Sequence, residues 1–492
     1  MRDHPSLYEI NSLAFINRLS AKYNQPLTLA TIPDGEWTAL SQLGFDLIWM
    51  MGVWQRSPES RRLVLANSGL RKEFDRLLPG WTSADVCGSP YAIYSYTVEP
   101  DLGTDDDLLA LREKLNRLGM GLVLDFVPNH LALDHPWTLA NPEWFVQGDE
   151  SEVDKHPEWY FPSQGRYLAH GRDPYFAAWN DTVQVNFFRE DLRTGLISEL
   201  GRVSRLCDGV RCDMAMLALN GVFEWVWGAV SKGVAAPNTE FWDLAIPEIR
   251  SRYPDFMFMA EVYWGLENRL QQMGFNFTYD KPLYDHLKWD VASEIMHHIR
   301  TEGKQQDREA HFIENHDEPR AIPGLGRERS MAAAVVMSTI PGLHIYQDGQ
   351  LEGRPVRIPV QLGREPFEFA DPEVSLFYRR LLKLCNKEVL HDGQWEAVEI
   401  LNGWEGSQSY LDILAWRWRL DKEQVIVAIN YSTSRAQAWL KVGPPSPGAT
   451  RVVFQDVLTG TTYVRDPAEL SSKGLYVDLG PFRAHLMYTT SY

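Results

Sequence analysis

Four short stretches of this 492-residue chain end in side chains that can move protons or balance charge. "GLVLDFVPNH" (121–130) supplies Asp125, Asn129 and His130, and "GVRCDMAM" (209–216) supplies Arg211 and Asp213. "FMFMAEVYW" (256–264) supplies Glu261, and "AHFIENHDEP" (310–319) supplies His316 and Asp317. In an extended segment residues two apart share a face, so Arg211 and Asp213 point one way and Cys212 the other. A charged pair inside a strand loses solvation unless its members satisfy each other or serve a site. One such strand end reads most simply as an ion pair or a helix cap. Four ends carrying Asp, Glu, His or Arg are hard to explain by capping, and together they would line one cleft. The chemistry that needs two close carboxylates plus supporting charge is glycoside hydrolysis. In its retaining form one carboxylate attacks the anomeric carbon and the other protonates the leaving oxygen, the two lying about 5–5.5 Å apart. They must hold opposite protonation states. Arg211 beside Asp213 favours the ionised nucleophile. Glu261 follows the apolar run "FMFMA", where desolvation favours the protonated acid.

The elements that must position these groups alternate along the chain. "FDLIWMMGV" (45–53) is strand-like, and "DDDLLALREKLNRLG" (105–119) is an acid-capped amphipathic helix ending at a glycine. Further strands fall at 121–130, 209–216, 256–264, 310–319 and "PGLHIYQDG" (341–349), with helical patterns between, such as "DHLKWDVASEIMHHIR" (285–300). Several strands turn polar only at their C-terminal ends, the pattern of a (β/α)8 TIM barrel with its active face there. Residues 131–187, rich in Pro, His, Asp and aromatics, are too long for a plain βα loop and read as an inserted domain after the third strand. After about residue 389 the texture becomes alternating runs separated by Gly, Pro and Ser, a C-terminal antiparallel β-sandwich with a turn-rich connection at 442–450. The fold class is therefore α/β, with barrel segments 1–130 and 188–388, an insertion at 131–187 and a sandwich at 389–492.

Bulk properties narrow the partners. Lys+Arg of 48 against Asp+Glu of 66 gives a net charge of −18, which argues against a nucleic-acid or anionic-membrane surface. The opening residues lack a signal-peptide pattern and no apolar run reaches membrane-spanning length, so a cytoplasmic protein is expected. Cys87, Cys207, Cys212 and Cys385 are scattered as reduced thiols would be, and none has metal-site spacing. The sequon "NFT" (276–278) carries no weight without secretion. Aromatic residues make up 12% of the chain, and those in "HPEWYF" (156–161) and "DPYFAAW" (173–179) suit the apolar faces of sugars. Trp137, Trp144, Trp159 and Trp179 are either such platforms or a compact local core. His297 and His298 are expected on a helix surface.

"DFVPNH", "GVRCD", "AEVYW" and "ENHDEP" resemble, in order and approximate spacing, the four sequence regions of the α-amylase family of retaining glycosidases. "YEIN", "GSPYAIYSYTVEPDLGT" (88–104) and "PGLHIYQDG" resemble further elements of that family. The resemblance implies Asp213 as nucleophile, Glu261 as general acid/base and Asp317 as transition-state stabiliser. It implies sugar contacts or carboxylate orientation by Arg211, His130 and His316, support by Asp125, and stacking by Tyr91. Arg320 matches an arginine that exo-acting α-glucosidases of the family use on the terminal glucose, whereas Ala92 stands where those enzymes often carry an aspartate. Met216 and Leu217 replace a Lys-His pair on the leaving side. No cofactor is required; calcium is the one metal the resemblance introduces, through Asn129, with Gln184 of "QVN" in place of an acid.

The expected activity is retaining hydrolysis of α-glucosidic bonds in malto-oligosaccharides or related α-glucans. The alternatives are a transglycosylase, phosphorylase or isomerase using the same glycosyl-enzyme, and a non-catalytic carbohydrate-binding or scaffold subunit. The last should lack one of the three carboxylates, and this chain keeps all three. The sequence assigns no oligomeric state.

Overall fold

Eight short parallel strands close on themselves in chain order. The computed structural model describes residues 2–228, 230, 235–301, 306–445 and 448–490. The strands are β1 (Ser6–Asn11), β2 (Leu47–Met51), β3 (Gly121–Phe126), β4 (Gly209–Cys212), β5 (Met257–Ala260), β6 (Phe277–Tyr279), β7 (Glu309–His311) and β8 (Leu343–Gln347). Each pairs with the next and β8 returns to β1. Strand alternation sorts their side chains. Leu7, Trp49, Val123, Met259, Tyr279, Phe312 and Ile345 fill the barrel interior, whereas Ile48, Leu124, Val210 and Cys212 face out into the core shared with the helices. Continuing up the inward face by two, the apolar filling gives way to Glu9, Asp125, Arg211, Asp213 and Glu261. The site is therefore the polar cap of an apolar plug.

The helix Asp105–Arg117 forms as its sequence predicts. Thr104 accepts the Asp107 N–H while Asp107 accepts the Thr104 N–H, a reciprocal cap, and Leu108, Leu111 and Leu115 are buried at helical spacing. Gly119 ends the turn at φ 80°, a conformation that disfavours any residue with a Cβ. Two expectations are corrected. The stretch 285–300 is not one helix: Lys281–Trp289 and Ala292–Thr301 are separated by an extended Asp290 (φ −103°, ψ 177°). That break turns His298 inward, where Nε2 lies 3.1 Å from Asp280 Oδ1, so it is buried rather than superficial. Apart from these, the "NFT" stretch lies partly in a barrel strand, β6.

Between β3 and β4 the chain leaves the barrel. The strand His130–Ala132 pairs antiparallel with Thr182–Gln184, and Arg166–Ala169 pairs with Gln147–Gly148 and Tyr160–Ser163. After the helix Pro372–Cys385 the chain forms a six-stranded and a three-stranded antiparallel sheet that enclose a separate core. Within Ile413–Leu420, Ile413 and Ala415 enter that core while Leu414, Trp416 and Trp418 face the barrel side, and Trp418 donates its indole N–H to the Thr339 carbonyl at 2.7 Å. In the connection at 442–450, residues 446 and 447 lie outside the described residues. No helix among the described residues is long and apolar enough to cross a membrane.

Candidate active site

Arg211 organises the cap. Register places it beside Asp125 on β3 and Met259 on β5. Its side chain is fully enclosed (0% exposed). Nη1 donates to Asp213 Oδ1 at 2.7 Å, Nη2 donates to Glu261 Oε2 at 2.6 Å, and Nε donates to Tyr279 Oη at 3.3 Å. Trp49, Tyr91 and Tyr279 place ring centroids 5.3–5.7 Å from the guanidinium. Their π faces favour a cation in a space from which water is excluded. The expectation that Arg211 serves Asp213 is therefore incomplete: one planar fork holds both catalytic candidates.

Three further carboxylates surround this pair. Asp125 is buried and accepts from the Trp49 indole N–H (3.2 Å) and the Gly52 amide (2.9 Å). Glu9, on β1, approaches His316 Nδ1 at 2.5 Å. His316 Nε2 in turn lies 2.6 Å from Tyr91 Oη and 3.1 Å from Asp317 Oδ2, with the Tyr91 and His316 rings stacked. Asp317 is the open member, with 54% of its side chain accessible, and Arg357 donates to its carbonyl at 2.6 Å.

Burial acts against charge here, and the neighbours decide each outcome. Burial raises Asp213 and Glu261 alike, and Arg211 pulls both back. The charges of Asp213 and Asp317 then help hold the proton on Glu261. Burial likewise raises Asp125, opposed by Arg211 and the Gly52 amide. For His316 burial disfavours the cation, yet Asp317 and Glu9 outweigh it and raise its pKa well above the ordinary imidazole range. The reciprocal attraction of His316 holds the open Asp317 carboxyl down at about 2. His130 is lowered to about 4 by burial and stays neutral.

The remaining predicted residues divide. His130 is buried at the edge of the insertion, tilted against Trp179 with ring centroids 4.9 Å apart. Arg320 lies outside the Arg211 cluster. Its nitrogens are engaged by Glu314 (3.0 Å), Gln347 Oε1 (2.6 Å) and the carbonyls of Asp348 (3.0 Å) and Arg354 (3.1 Å). Asn129 does not present a cation site. Gln184 Nε2 donates to its Oδ1 at 2.9 Å and to its carbonyl at 3.0 Å, so N–H groups occupy the oxygens a calcium ion would need. Among the described residues no group of three or more His, Cys, Asp or Glu could hold a metal. These residues do not fit calcium.

Sequence reasoning missed Glu9, Tyr263, Tyr279 and the backbone of Met214. Tyr263 donates its hydroxyl to Glu261 Oε1 at 2.8 Å. The signal for Glu9 was available: in "SLYEIN" it is an acid two residues after an apolar inward position, the same pattern as Asp125.

On the leaving side, Met216 and Leu217 are buried core residues. Trp137, Trp144 and Trp159 pack against the local core, but other aromatics stand open. Tyr175 of the insertion (62% exposed), Trp225 after β4 (58%) and Trp264 after β5 (37%) form a three-ring cluster, with centroids 5.3–6.2 Å apart. Arg172 fastens the insertion there. Its guanidinium is sandwiched between Trp159 (3.8 Å) and Trp227 (4.5 Å) and donates to the Val226 carbonyl at 2.8 Å. Asp173 Oδ1 accepts the amides of Tyr175 (2.6 Å) and Phe176 (2.9 Å).

Residues 38–195 match the family model of the α-amylase catalytic domain. Alpha-amylase 3 of Dictyoglomus thermophilum is 23% identical over 328 residues, covering 61% of this chain and 60% of that protein. An α-1,4-glucan:maltose-1-phosphate maltosyltransferase of Streptomyces coelicolor is 25% identical over 466 residues, covering 91% of this chain and 62% of that protein. The chain thus spans about three-fifths of the length of these curated relatives. A noncanonic maltogenic α-amylase from Thermotoga neapolitana shares the fold, with a TM-score of 0.68 at 17% identity over 100% of this chain and 99% of that one. With its closed eight-stranded barrel and the carboxylates at the strand ends, the chain shares the fold of α-amylases and matches their catalytic-domain model over 38–195.

Proposed function

We propose that the protein is a retaining enzyme of α-glucosidic bonds in malto-oligosaccharides or related glucans. Asp213 is the nucleophile, Glu261 the general acid/base and Asp317 the group that stabilises the oxocarbenium-like transition state. The observation that carries this reading is the shared guanidinium. Two acids taking opposite Nη groups of one arginine, at 2.7 and 2.6 Å, are close neighbours, which supports double displacement, where the carboxyls lie roughly 5–5.5 Å apart. Glu261 protonates the glycosidic oxygen as Asp213 forms the covalent glycosyl-enzyme. The Glu261 carboxylate then deprotonates the acceptor that releases the sugar. Tyr91, stacked on His316, offers a ring face beside that sugar, and Asp125 supports the Arg211 side of the site.

Hydrolysis is the leading outcome, with water as acceptor. The open cluster of Tyr175, Trp225 and Trp264 beside the Glu261 loop favours a second reading, in which a bound sugar competes with water and the enzyme transfers glucan units. Four unpaired cysteines and the negative net charge support a reducing, cytoplasmic setting with no nucleic-acid or membrane partner. The test is product chromatography on maltoheptaose, trehalose, sucrose and isomaltose, with and without phosphate, for the wild type and Asp213→Asn. Turnover of at least one α-glucoside that disappears in Asp213→Asn is expected. Unchanged turnover in that variant would remove the catalytic assignment.

A further inference from the structure

A cavity of about 990 Å³ opens beside the helix Ser12–Tyr23 and shares no lining residue with the Arg211 cluster. That volume lies at the upper end of the roughly 300–1,000 Å³ typical of small-molecule sites. Arg56 forms part of its wall and is 6% exposed. Among the described residues no carboxylate comes within ion-pair distance of its guanidinium, although Glu99, which accepts the Arg56 backbone N–H at 2.8 Å, interacts with it at longer range. Nη1 donates to the Cys87 thiol, Nη2 reaches the Gly52 carbonyl at a long 3.3 Å, and the enclosed Nε has no partner. Arginine keeps its charge in protein interiors, so this is a buried cation whose guanidinium hydrogen-bonds one thiol and one carbonyl, with Glu99 acting on it through space. Such a fork is shaped to take two oxygens of a phosphate or carboxylate.

The rest of the wall limits what carries that anion. The amides of Asn24, Gln25 and Gln55 and the carboxylates of Glu99 and Asp101 line the same cavity. Carboxylates accept hydrogen bonds from hydroxyls and repel a second negative charge, so the ligand must be anionic at one end and hydroxylated at the other. We propose that this cavity is a second binding site, for a sugar phosphate whose phosphate sits on Arg56 and whose hydroxyls meet the amide and carboxylate wall. Gly52 joins it to the catalytic cap: its carbonyl accepts from Arg56 and its N–H donates to Asp125 Oδ2 at 2.9 Å. The proposal concerns binding alone and stands apart from the catalytic reading.

Cys87 provides the readout. It borders the cavity and contacts Arg56, and it is the one partly accessible cysteine of the four, the others being buried. Its alkylation by a maleimide, followed by mass spectrometry on the full chain, should slow at least fivefold and saturably with α-glucose 1-phosphate. Inorganic phosphate should protect more weakly and glucose not at all, although both sugars can enter the catalytic cleft. Arg56→Lys should abolish the protection. If that variant does not fold by circular dichroism, Gln55→Ala should weaken it severalfold without touching the anion fork. No protection by either phosphate, or equal protection by glucose, would overturn the proposal. Equal protection by inorganic phosphate would overturn its sugar half.

Discussion

Met214 donates its amide to Glu261 Oε2 at 2.9 Å from a left-handed backbone, φ 42° and ψ 46°. The residue directly after the candidate nucleophile thus turns back to hold the candidate acid. A non-glycine residue in that region costs about 1–2 kcal/mol, and such strain collects where geometry must be fixed. A β-branched replacement tolerates this backbone least. Met214→Ile is expected to lower kcat at least tenfold and reduce the Tm by several degrees, whereas Met214→Gly should keep kcat within a few-fold. Steady-state kinetics and thermal unfolding of the two variants decide it, and equal kcat in both would show that the left-handed turn is dispensable.

Arg211 compensates two buried carboxyls at once, so removing it exposes their mutual repulsion. Arg211→Met should destabilise the fold by about 3–5 kcal/mol at neutral pH, the range for breaking a buried charge pair. Without the guanidinium Asp213 and Glu261 both hold protons more tightly. The penalty should therefore shrink as pH falls, because the wild type protonates the same groups and leaves Arg211 unpaired. Urea denaturation of both proteins at neutral and acidic pH measures the difference. A penalty independent of pH would mean that lost packing dominates.

The hydroxyl of Tyr263 favours the ionised form of Glu261, because it donates to Oε1. Burial works the other way and raises Glu261, with Arg211 opposing and the Asp213 charge assisting. With Glu261 as the proposed general acid, activity requires it protonated and is lost as pH rises through that pKa. Tyr263→Phe removes a donor to the carboxylate. The basic limb of the kcat/KM profile should move up by roughly half to one pH unit, the equivalent of about 1 kcal/mol, while the acidic limb set by Asp213 stays. A downward move would reverse the assigned direction of the hydrogen bond.

The site was legible where an acid interrupts an apolar strand. Asp125 and Glu261 sit two residues beyond the inward Val123 and Met259, and Asp213 two beyond the inward Arg211, so the period of two dictates that all three face the barrel axis. What local pattern cannot reveal is pairing. That Arg211 reaches Glu261 as well as Asp213 depends on the β4–β5 register, and that Gln184 closes on Asn129 depends on strands 55 residues apart in the chain. Met214 and Tyr263 act through a backbone turn and a hydroxyl with no sequence signature. His298 was misplaced because the helical period across 285–300 ignores the extended Asp290, and β6 was missed because three residues are too few to show alternation.

Gln184 ties the root of the insertion together, and the expected outcome is a fold that needs no ion at Asn129. Its Nε2 donates to two oxygens of Asn129 and lies 3.1 Å from the Val185 carbonyl, all in a buried setting. Chelation by EDTA should leave Tm and turnover unchanged. Gln184→Ala should cost about 1–3 kcal/mol, the price of leaving buried oxygens without donors. A Tm that drops with EDTA and returns with added calcium would contradict the amide bridge.

Under the proposed function, the aromatic cluster bears on the fate of the glycosyl intermediate. Tyr175, Trp225 and Trp264 come from three separate segments, yet their rings meet in the open, and Trp264 does so from a left-handed backbone (φ 69°). Exposed rings held this way mark a binding surface, because apolar area in water is otherwise a liability. Trp264 lies three residues beyond Glu261, and under that function the cluster is a platform for the acceptor. Stacking a sugar there helps only substrates long enough to reach it. Trp225→Ala and Tyr175→Ala should each lower kcat/KM on maltoheptaose by about 5–30-fold, equivalent to about 1–2 kcal/mol of stacking. Hydrolysis of a short aryl α-glucoside should stay within twofold, since its bond cleavage needs only the carboxyl pair. The ratio of transfer to hydrolysis products at high oligosaccharide concentration should fall in parallel, because the acceptor loses its platform while water does not. Equal losses on both substrates would place the rings in the fold of the insertion instead of the acceptor path.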